Sequence, residues 1–596
     1  MNVLEVRNLS VQYPGAQGAP DIVNNISFTV EKGSITGLVG ESGSGKSTAM
    51  LAVMGLLGAR ASVRHDGITV SGSAPVPGKN VAMIFQDSLS CLNPSVKIGR
   101  QVRETVRART GCTRKEAAAR AVQLLEMVGI RNPALRMRQY PFELSGGMRQ
   151  RVVLAIALAC EPELIIADEP TTALDAVVQA QILQLLRRIV RETGTALLLV
   201  SHDMGVTAAM CRDVYVMRAG EIIESGTAED IFYHPCEAYT KQLLKDAKGG
   251  RLRVGEAKSG DEGPAGEEAL LRLEHVTKIF DEREGIRDIS LEIRRGEILA
   301  LVGESGSGKT TAARILTGML REDAGELYHN GQVLKRGRRM DSFQGTVQMV
   351  FQDPYASLNP CLTVRRALLE ALDGSERLRG LSGQEKEERI REILTLTGLP
   401  QEAADRYPRA FSGGQRQRIG IARALVTEPD VLVCDEAISS LDATTREQIL
   451  ELIFRIQRKI GFACLFISHD MYVVRRISDR IAVMYGGHIV ETGKTKQVCK
   501  DPWHPYTRLL LSAVPEPDPI RASRMKSGPA RESAGNPGAC TDARCPFADR
   551  CGYALECCGK EAPGQYRFGD REVSCFLYSE EHSGRRGSTY RMTSQI

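Results

Sequence analysis

Gly40-Glu41-Ser42-Gly43-Ser44-Gly45-Lys46-Ser47-Thr48 recurs almost letter for letter as Gly303-Glu304-Ser305-Gly306-Ser307-Gly308-Lys309-Thr310-Thr311. Each copy fits the pattern G-x-x-x-x-G-K-[ST]. Each follows an apolar run, Ser34-Ile35-Thr36-Gly37-Leu38-Val39 and Glu297-Ile298-Leu299-Ala300-Leu301-Val302, and each leads into a small-residue helical pattern at 48–56 and 311–320. In that strand–loop–helix setting the glycines let backbone N–H groups turn inward onto phosphate oxygens, and the helix N-terminus adds its partial positive charge. Lys46 and Lys309 supply point charges for terminal phosphates, and the Ser47 and Thr310 hydroxyls suit Mg²⁺. A Gly/Ser-rich loop without chemistry would need neither the lysine nor this setting twice. The stretch therefore predicts an α/β, phosphate-loop fold that binds a nucleotide in each half.

The two halves match beyond the loop. Lys46 pairs with Lys309, Gln86 with Gln352, Ser145 with Ser412, Asp168 with Asp435 and His202 with His469, the offset growing from 263 to 267 and then holding. A period so long is a duplicated domain, not a solenoid. Each copy opens with alternating residues (Val3-Leu4-Glu5-Val6-Arg7-Asn8-Leu9; Leu271-Arg272-Leu273-Glu274-His275-Val276), the mark of half-buried antiparallel strands. Continuous β-rich runs follow, Val81-Ala82-Met83-Ile84-Phe85 and Val347-Gln348-Met349-Val350-Phe351, then amphipathic helical stretches such as 113–128 and 385–396, then two fully apolar strands in each half, Leu164-Ile165-Ile166-Ala167 and Ala196-Leu197-Leu198-Leu199-Val200 in the first. Strands apolar on both sides, alternating with helices, predict a parallel sheet covered on both faces. Hairpin turns at Arg218-Ala219-Gly220 and Tyr485-Gly486-Gly487 close the copies. The expected organisation is a first domain at 1–245, a flexible Gly/charge-rich linker at 246–267, a second domain at 268–515, a cysteine-rich extension at 516–578 and a disordered polar tail at 579–596. Residues 515–538, rich in Gly, Pro and Ser, read as a spacer before the extension.

Composition is ordinary for a protein of 596 residues: 42% hydrophobic, 25% charged, net charge +5. So small an excess argues neither for nor against nucleic acid. No run of 18 apolar residues occurs, so no spanning helix is expected. The N-terminus enters a strand pattern at once, with no signal-peptide pattern, which predicts a cytosolic chain unless a partner holds it elsewhere. Fifteen cysteines in that compartment should be mostly reduced, and the six between Cys540 and Cys575 point to metal or redox chemistry.

Downstream of each loop an apolar strand ends in two acids, Leu164-Ile165-Ile166-Ala167-Asp168-Glu169 and Val431-Leu432-Val433-Cys434-Asp435-Glu436. Beside a phosphate loop, Asp168 and Asp435 can hold Mg²⁺ through water, and Glu169 and Glu436 can orient or deprotonate the attacking water. Upstream stand Leu144-Ser145-Gly146-Gly147-Met148-Arg149-Gln150-Arg151 and Phe411-Ser412-Gly413-Gly414-Gln415-Arg416-Gln417-Arg418. Ser-Gly-Gly before a helical run is a second helix N-terminus with open amides, suited to another phosphate.

These motifs together resemble the ABC-type ATPases with two nucleotide-binding domains, whose signature is L-S-G-G-x; the likeness covers about 1–245 and 268–515. The resemblance implies ATP and Mg²⁺ as ligands, and an antiparallel and a helical subdomain in each domain. It implies roles residue by residue. Gln86 and Gln352 match the glutamine that contacts Mg²⁺ and water, and His202 and His469 the histidine that touches the γ-phosphate. Asp175 and Asp442 match the acid of the loop after the paired carboxylates, and Tyr13 and Phe280 the aromatic stacked on adenine. It further implies that the halves pair head to tail, Lys46 working with Ser412 and Lys309 with Ser145. Departures are Met148 where Gln is usual, Phe411 for Leu, and Ala437 for Pro. With both lysines, both acid pairs, both signatures and both histidines present, two competent sites are expected.

His234-Pro235-Cys236-Glu237-Ala238-Tyr239-Thr240 and His504-Pro505-Tyr506-Thr507-Arg508-Leu509-Leu510 resemble the His-Pro-Tyr-Thr segment of the oligopeptide, dipeptide and nickel importer subfamily. On bare chemistry they are turns followed by helix starts. Cys545, Cys551, Cys558 and Cys575 resemble that subfamily's C-terminal cysteine pattern, for which a [4Fe–4S] cluster is implied. Four thiolates hold either such a cluster or tetrahedral Zn²⁺, Cys557 could replace Cys558, and unligated thiols remain a third reading. The resemblance implies an ATP-hydrolysing importer subunit on the cytoplasmic face of the membrane. It would dock through 87–140 and 353–408 beneath two separate permease subunits, fed by an extracytoplasmic binding protein, with no nucleic acid and no insertion of its own. The cargo class would be di- or oligopeptide, nickel or glutathione. The alternative is a soluble tandem ATPase acting on ribosomes or nucleic acid, against which stand a short linker and the lack of long coiled-coil or zinc-bearing insertions.

Overall fold

Val3, Leu4, Val6, Leu9 and Val11 are buried in the first strand, Asn2–Gln12. It pairs antiparallel with Val23–Glu31 on one side and with Ser62–Arg64 and Gly67–Val70 on the other. The computed structural model describes residues 1–13, 21–87, 91–171, 174–248, 269–281, 284–334, 345–378, 380–438, 441, 443–523 and 543–579. Most of the expected linker, the basic run 335–339, Asp442, Cys540 and the tail from 580 lie outside these residues. The chain divides into two units, Met1–Gly250 with Ala513–Lys526, and Arg251–Ser512 with Ser527–Ile596.

In the first unit a six-stranded sheet runs in the order Glu221–Thr227, Asp213–Arg218, Ile35–Val39, Ala196–Ser201, Leu164–Asp168, Val81–Ile84. All neighbours are parallel except the first pair. Its three central strands are buried at every position, and the period-two alternation of a strand divides their side chains between two cores. Leu38, Ile166 and Leu198 face the antiparallel sheet and the helix Lys46–Val53. Ile35, Ile165, Leu197 and Leu199 face the helical layer. Each fully buried Leu or Ile contributes roughly 1.5–3 kcal/mol. The expected helix at 113–128 is Arg114–Met127, started by a capping box in which Thr113 and Glu116 bond each other's backbone N–H. The hairpin turn closes with Ala219 and Gly220 both at positive φ, 47° and 88°, the backbone that a two-residue loop requires.

The second unit repeats this plan, with one addition. Its sheet has eight strands: Val347–Val350, Val431–Asp435, Ala463–Ile467, Ile298–Val302, Arg480–Tyr485, His488–Lys494, Arg571–Val573 and Tyr566–Phe568. The last two belong to the cysteine-rich extension, which continues the core sheet of this unit: Arg571–Val573 pairs antiparallel with His488–Lys494, and Tyr566–Phe568 with Arg571–Val573. Glu491 and Arg571 form a buried ion pair at the seam, 2.5 Å apart. The Arg571 guanidinium lies 3.8 Å from the ring centroid of Trp503.

Of the stretch read as a spacer, 524–538 lie outside the described residues, and the part up to Ser523 packs on the first unit. Ala513–Lys526 clusters with the first unit, where its short helix Pro519–Ser523 seats Ala522 in the core. Tyr233 donates its hydroxyl proton to Asp518 at 2.8 Å.

Candidate functional site

Each phosphate loop leaves the C-terminal end of a buried central strand and enters a helix whose N-cap is a left-handed glycine, Gly45 at φ 102° and Gly308 at φ 101°. A Cβ on Gly40 would lie 2.1 Å from the Met217 carbonyl oxygen, and one on Gly303 2.1 Å from that of Met484, so no other residue fits there. The hairpin turn backs the loop: Gly220 N–H donates to Ser44 O at 2.9 Å, and Gly487 N–H to Ser307 O at 3.1 Å. Lys46 is buried, and its Nζ donates to Gly40 O at 2.8 Å, Glu41 O at 2.7 Å and Ser44 Oγ at 3.2 Å. Lys309 does the same to Gly303 O and Glu304 O at 2.9 and 2.8 Å. Burial lowers the Lys46 pKa, offset in part by Glu169, Asp168 and Glu41. Ser42 and Gly43, and Ser305 and Gly306, complete the two loops, while Thr48 and Thr311 lie in the first turn of the helices Lys46–Val53 and Lys309–Leu316.

The strand carrying His202 lies between the loop strand and the strand carrying Asp168, which brings all three strand ends to one edge. Asp168 is buried, and burial raises its pKa against the hydrogen bond from Ser47. Its Oδ1 has no hydrogen-bond partner. Thr310 donates to Asp435 Oδ1 at 3.2 Å, and burial likewise raises Asp435. A buried, unpaired carboxylate oxygen beside a bonded hydroxyl is the donor set a hard divalent cation needs.

Glu169 and Glu436 both sit at φ 47°, a conformation that costs a side-chain-bearing residue and persists only where its surroundings enforce it. Gln86 Nε2 donates to Glu169 Oε2 at 2.8 Å, and His202 Nδ1 lies 2.7 Å from Oε1. In the second unit Gln352 Nε2 donates to Glu436 Oε2 at 2.9 Å, and His469 Nδ1 stands 3.6 Å from Oε1. Burial would raise the Glu436 pKa, but the His469 hydrogen bond and charge and then Lys309 hold it below the usual carboxylate value. Gln, Glu and His, far apart in sequence, thus converge in both units.

Ser145 and Ser412 are the N-caps of the helices Gly146–Ala159 and Gly413–Leu425. Ser412 and Gln415 form a reciprocal capping box, whereas Met148 offers only its N–H to Ser145 Oγ, at 3.4 Å; the thioether cannot return the bond. A Cβ on Gly147 would approach Val178 Cγ1 to 2.5 Å, and one on Gly414 would approach Thr445 Cγ2 to 2.4 Å. Gly146 and Gly413 have room. Asp175 caps the helix Ala176–Thr193 by accepting Val178 N–H at 3.0 Å; Asp442 is outside the described residues. Tyr13 and Phe280 stand exposed, by 39% and 54%, at the end of the first antiparallel strand of each unit, with Lys278 Nζ 5.9 Å from the Phe280 ring centroid.

Two residues that sequence reasoning passed over touch the loops. Glu41 N–H donates to the Tyr239 hydroxyl at 3.1 Å, and Glu304 N–H to that of Tyr506 at 2.8 Å. These are the tyrosines of the two His-Pro segments, and the Cys236-Glu237-Ala238 interruption leaves Tyr239 in the corresponding place. The preceding turn is held in each unit by a carboxylate. Glu224 accepts Cys236 N–H at 2.6 Å and Glu237 N–H at 3.2 Å, and Glu491 accepts His504 N–H at 2.9 Å and Trp503 N–H at 3.0 Å.

Cys545, Cys551, Cys558 and Cys575 are all buried, each 7% exposed. The Cys545 thiol donates to Cys558, which raises the first pKa and lowers the second, and Leu555 N–H donates to Cys558 Sγ at 3.4 Å. The thiols gather, yet among the described residues no three His, Cys, Asp or Glu side chains stand together as ready metal ligands.

The sequence pattern described as "ABC transporter" matches residues 23–172 and 286–439, and that described as "Oligopeptide/dipeptide transporter, C-terminal region" matches 490–558. The Glutathione import ATP-binding protein GsiA of Pectobacterium atrosepticum is 40% identical over 569 residues, covering 88% of this chain and 91% of that protein. The protein of the same name from Escherichia coli O157:H7 is 41% identical over 573 residues, covering 87% and 90%. Among solved structures, cbiO1 from Clostridium perfringens, part of the ABC transporter complex cbiONQ, is 26% identical and covers 39% of this chain and 92% of its own, with a TM-score of 0.36.

Proposed function

The chain belongs to the ABC transporter family, and from that premise we propose how its residues do the family's work. It is the ATP-binding, ATP-hydrolysing subunit of an importer of the glutathione and oligopeptide type. The observation that carries the catalytic reading is the convergence of Gln, Glu and His beside a buried loop lysine, made twice.

ATP phosphates settle on the backbone amides at the N-termini of the helices Lys46–Val53 and Lys309–Leu316, with Lys46 and Lys309 held by loop carbonyls. Ser47 with Asp168, and Thr310 with Asp435, would hold Mg²⁺, which when bound neutralises charge on the phosphates. Glu169 and Glu436 accept the proton of the attacking water. The Gln86 and Gln352 amides fix one carboxylate oxygen, and His202 and His469 hold the other and reach the γ-phosphate. Tyr13 and Phe280 offer their rings to adenine. The Ser145 and Ser412 helix N-termini carry the signature's role toward phosphate, so turnover at either loop requires both copies. In the full chain, Glu169→Gln alone and Glu436→Gln alone should each cut ATP turnover; if either leaves it unchanged, the two-site reading fails.

The surfaces at 87–140 and 353–408 are proposed to receive two permease subunits, a reading supported by the chain's likeness to import ATP-binding proteins and to the oligopeptide/dipeptide transporter C-terminal region. Peripheral attachment at the inner face of the membrane and delivery of cargo by a binding protein follow from that reading. The cargo is proposed to be glutathione or a short peptide, in keeping with the relatives' names. Uptake assays in membranes carrying the neighbouring permeases test it. The four buried thiols are proposed as a ligand set for a [4Fe–4S] cluster or zinc. Four buried thiols are donor chemistry for either group, although among the described residues they do not stand as a ready ligand set. Iron, sulfide and zinc analysis of anaerobically purified protein decides, and finding none of the three removes the site.

A further inference from the structure

Arg550 lies in the single turn Ala548–Arg550 of the cysteine-rich module. Its Nη1 donates to Glu304 Oε2 at 2.7 Å, and the two side chains are only 12% and 5% exposed. The same nitrogen donates to the Tyr485 hydroxyl at 3.3 Å. The guanidinium lies 5.6 Å from the ring centroid of Tyr485 and 5.8 Å from that of Phe547. Phe547 packs edge-on against Tyr485 at 5.1 Å and tilted against Tyr506 at 5.5 Å. Glu304 is therefore held three ways: its N–H by Tyr506, its carbonyl by Lys309, and its carboxylate by Arg550.

The first copy has the first two restraints and lacks the third. Glu41 N–H meets Tyr239 and its carbonyl meets Lys46, but among the described residues Glu41 forms no ion pair. The cation nearest its tyrosine, Arg218, stacks over the Tyr239 ring at 4.9 Å. Among the described residues the edge strand Glu221–Thr227 carries no added strands on its far side, whereas its counterpart His488–Lys494 carries the module.

We propose that Arg550 is a positioning residue for the second ATP site alone, bracing the phosphate loop through Glu304 so that nucleotide affinity there depends on the cysteine-rich module. The physical basis is preorganisation. A loop whose backbone must present several N–H groups to phosphate binds more tightly when its conformation is fixed beforehand. A buried, hydrogen-bonded ion pair is costly to break from one side, because the remaining charge is left unpaired. The proposal makes two nearly identical nine-residue loops unequal through a contact made far from either in sequence. It rests on the reading of the second loop as an ATP site.

The test is equilibrium binding of a fluorescent ATP analogue to the full chain. Lys46→Met leaves the second loop to be read alone, and Lys309→Met leaves the first. Arg550→Met should weaken binding about tenfold, the equivalent of ~1.4 kcal/mol, in the Lys46→Met background, with no change in the Lys309→Met background. Glu304→Gln, which alters no residue of the module, should give the same loss, and adding Arg550→Met to it should cost nothing more. Arg550→Lys should recover part of the affinity. Equal weakening in both backgrounds, no weakening in the first, or additive losses with Glu304→Gln would overturn the brace. If the Lys46→Met chain binds no nucleotide with Arg550 intact, the ATP-site reading of the second loop fails instead, and the brace falls with it.

Discussion

The hydroxyl of Tyr506 accepts the backbone N–H of Glu304 at 2.8 Å across 202 positions of sequence, tying a subfamily-specific segment directly to a phosphate loop. Removing that oxygen strands a buried donor, which costs about 1–3 kcal/mol. Tyr506→Phe should therefore lower the thermal midpoint and raise the KM for ATP. Tyr239→Phe should do so more weakly, since its own contact is 3.1 Å. Steady-state kinetics with a melting curve checks both; an unchanged KM in Tyr506→Phe would leave the contact purely structural.

Gly147 and Gly414 carry a second prediction. Any Cβ there must displace Val178 or Thr445, from 2.5 and 2.4 Å. Gly147→Ala and Gly414→Ala should push the signature helix off the helix packed against it and reduce turnover at least tenfold. Gly413→Ala, where nothing lies within 4 Å, should retain most of it. Parallel ATPase assays decide; equal losses in all three would point to backbone freedom instead of packing.

Asp168 exposes a conflict between stability and chemistry. Burial raises its pKa, so the charged form is disfavoured by folding. The penalty is fully present above the folded value and is relieved on acidification through it. Asp168→Asn should stabilise the nucleotide-free chain by about 1 kcal/mol while lowering Mg²⁺-dependent ATP turnover by at least ~10²-fold. Differential scanning calorimetry beside a turnover assay checks it, and a destabilised Asn variant would contradict the argument.

His504 predicts a pH dependence of opposite sign. Burial, then Arg508, pushes its pKa from 6.5 down to about 3, and its Nδ1 accepts Tyr506 N–H at 3.0 Å. The unfolded imidazole takes a proton near pH 6.5 and the folded one does not. Its contribution is therefore whole above pH 6.5 and lost as the pH falls toward 3, at ~1.4 kcal/mol per pH unit. Urea unfolding followed by Trp503, the single tryptophan of the chain, should show about 1.4 kcal/mol less stability at pH 5.5 than at 7.5. His504→Asn should flatten that difference, and a variant with the same slope would assign it elsewhere.

Much of this was legible in the sequence. Fully apolar strands and the Gly-Lys-Ser/Thr turn are local signals, and they placed the sheet, the loops and the paired acids. The duplication aligned Gln86 with Gln352 and His202 with His469 before any contact was visible. The strained φ of Glu169 and Glu436 was not legible, because nothing in a strand end announces a left-handed acid. Nor were Tyr239 and Tyr506, whose segments look like ordinary turns until the sheet folds them back about 200 residues. The strands Tyr566–Phe568 and Arg571–Val573 are three residues each, too short for a period to show. Residues 515–523 read as spacer by composition, yet Ala522 sits in the core of the first unit and Asp518 bonds Tyr233.

The seam between Glu491 and Arg571 also bears on how the chain is born. Arg571 emerges 80 residues after the carboxylate it neutralises. Until then, among the described residues, Glu491 has the N–H groups of Trp503 and His504, and the His488–Lys494 edge, with Ile489 and Val490, lacks the strand that seals it. A nascent or truncated chain halted in that interval presents an open apolar sheet edge to its neighbours. The late strand pair thus acts as a closing stitch, and aggregation of this protein should track interrupted synthesis more closely than heat.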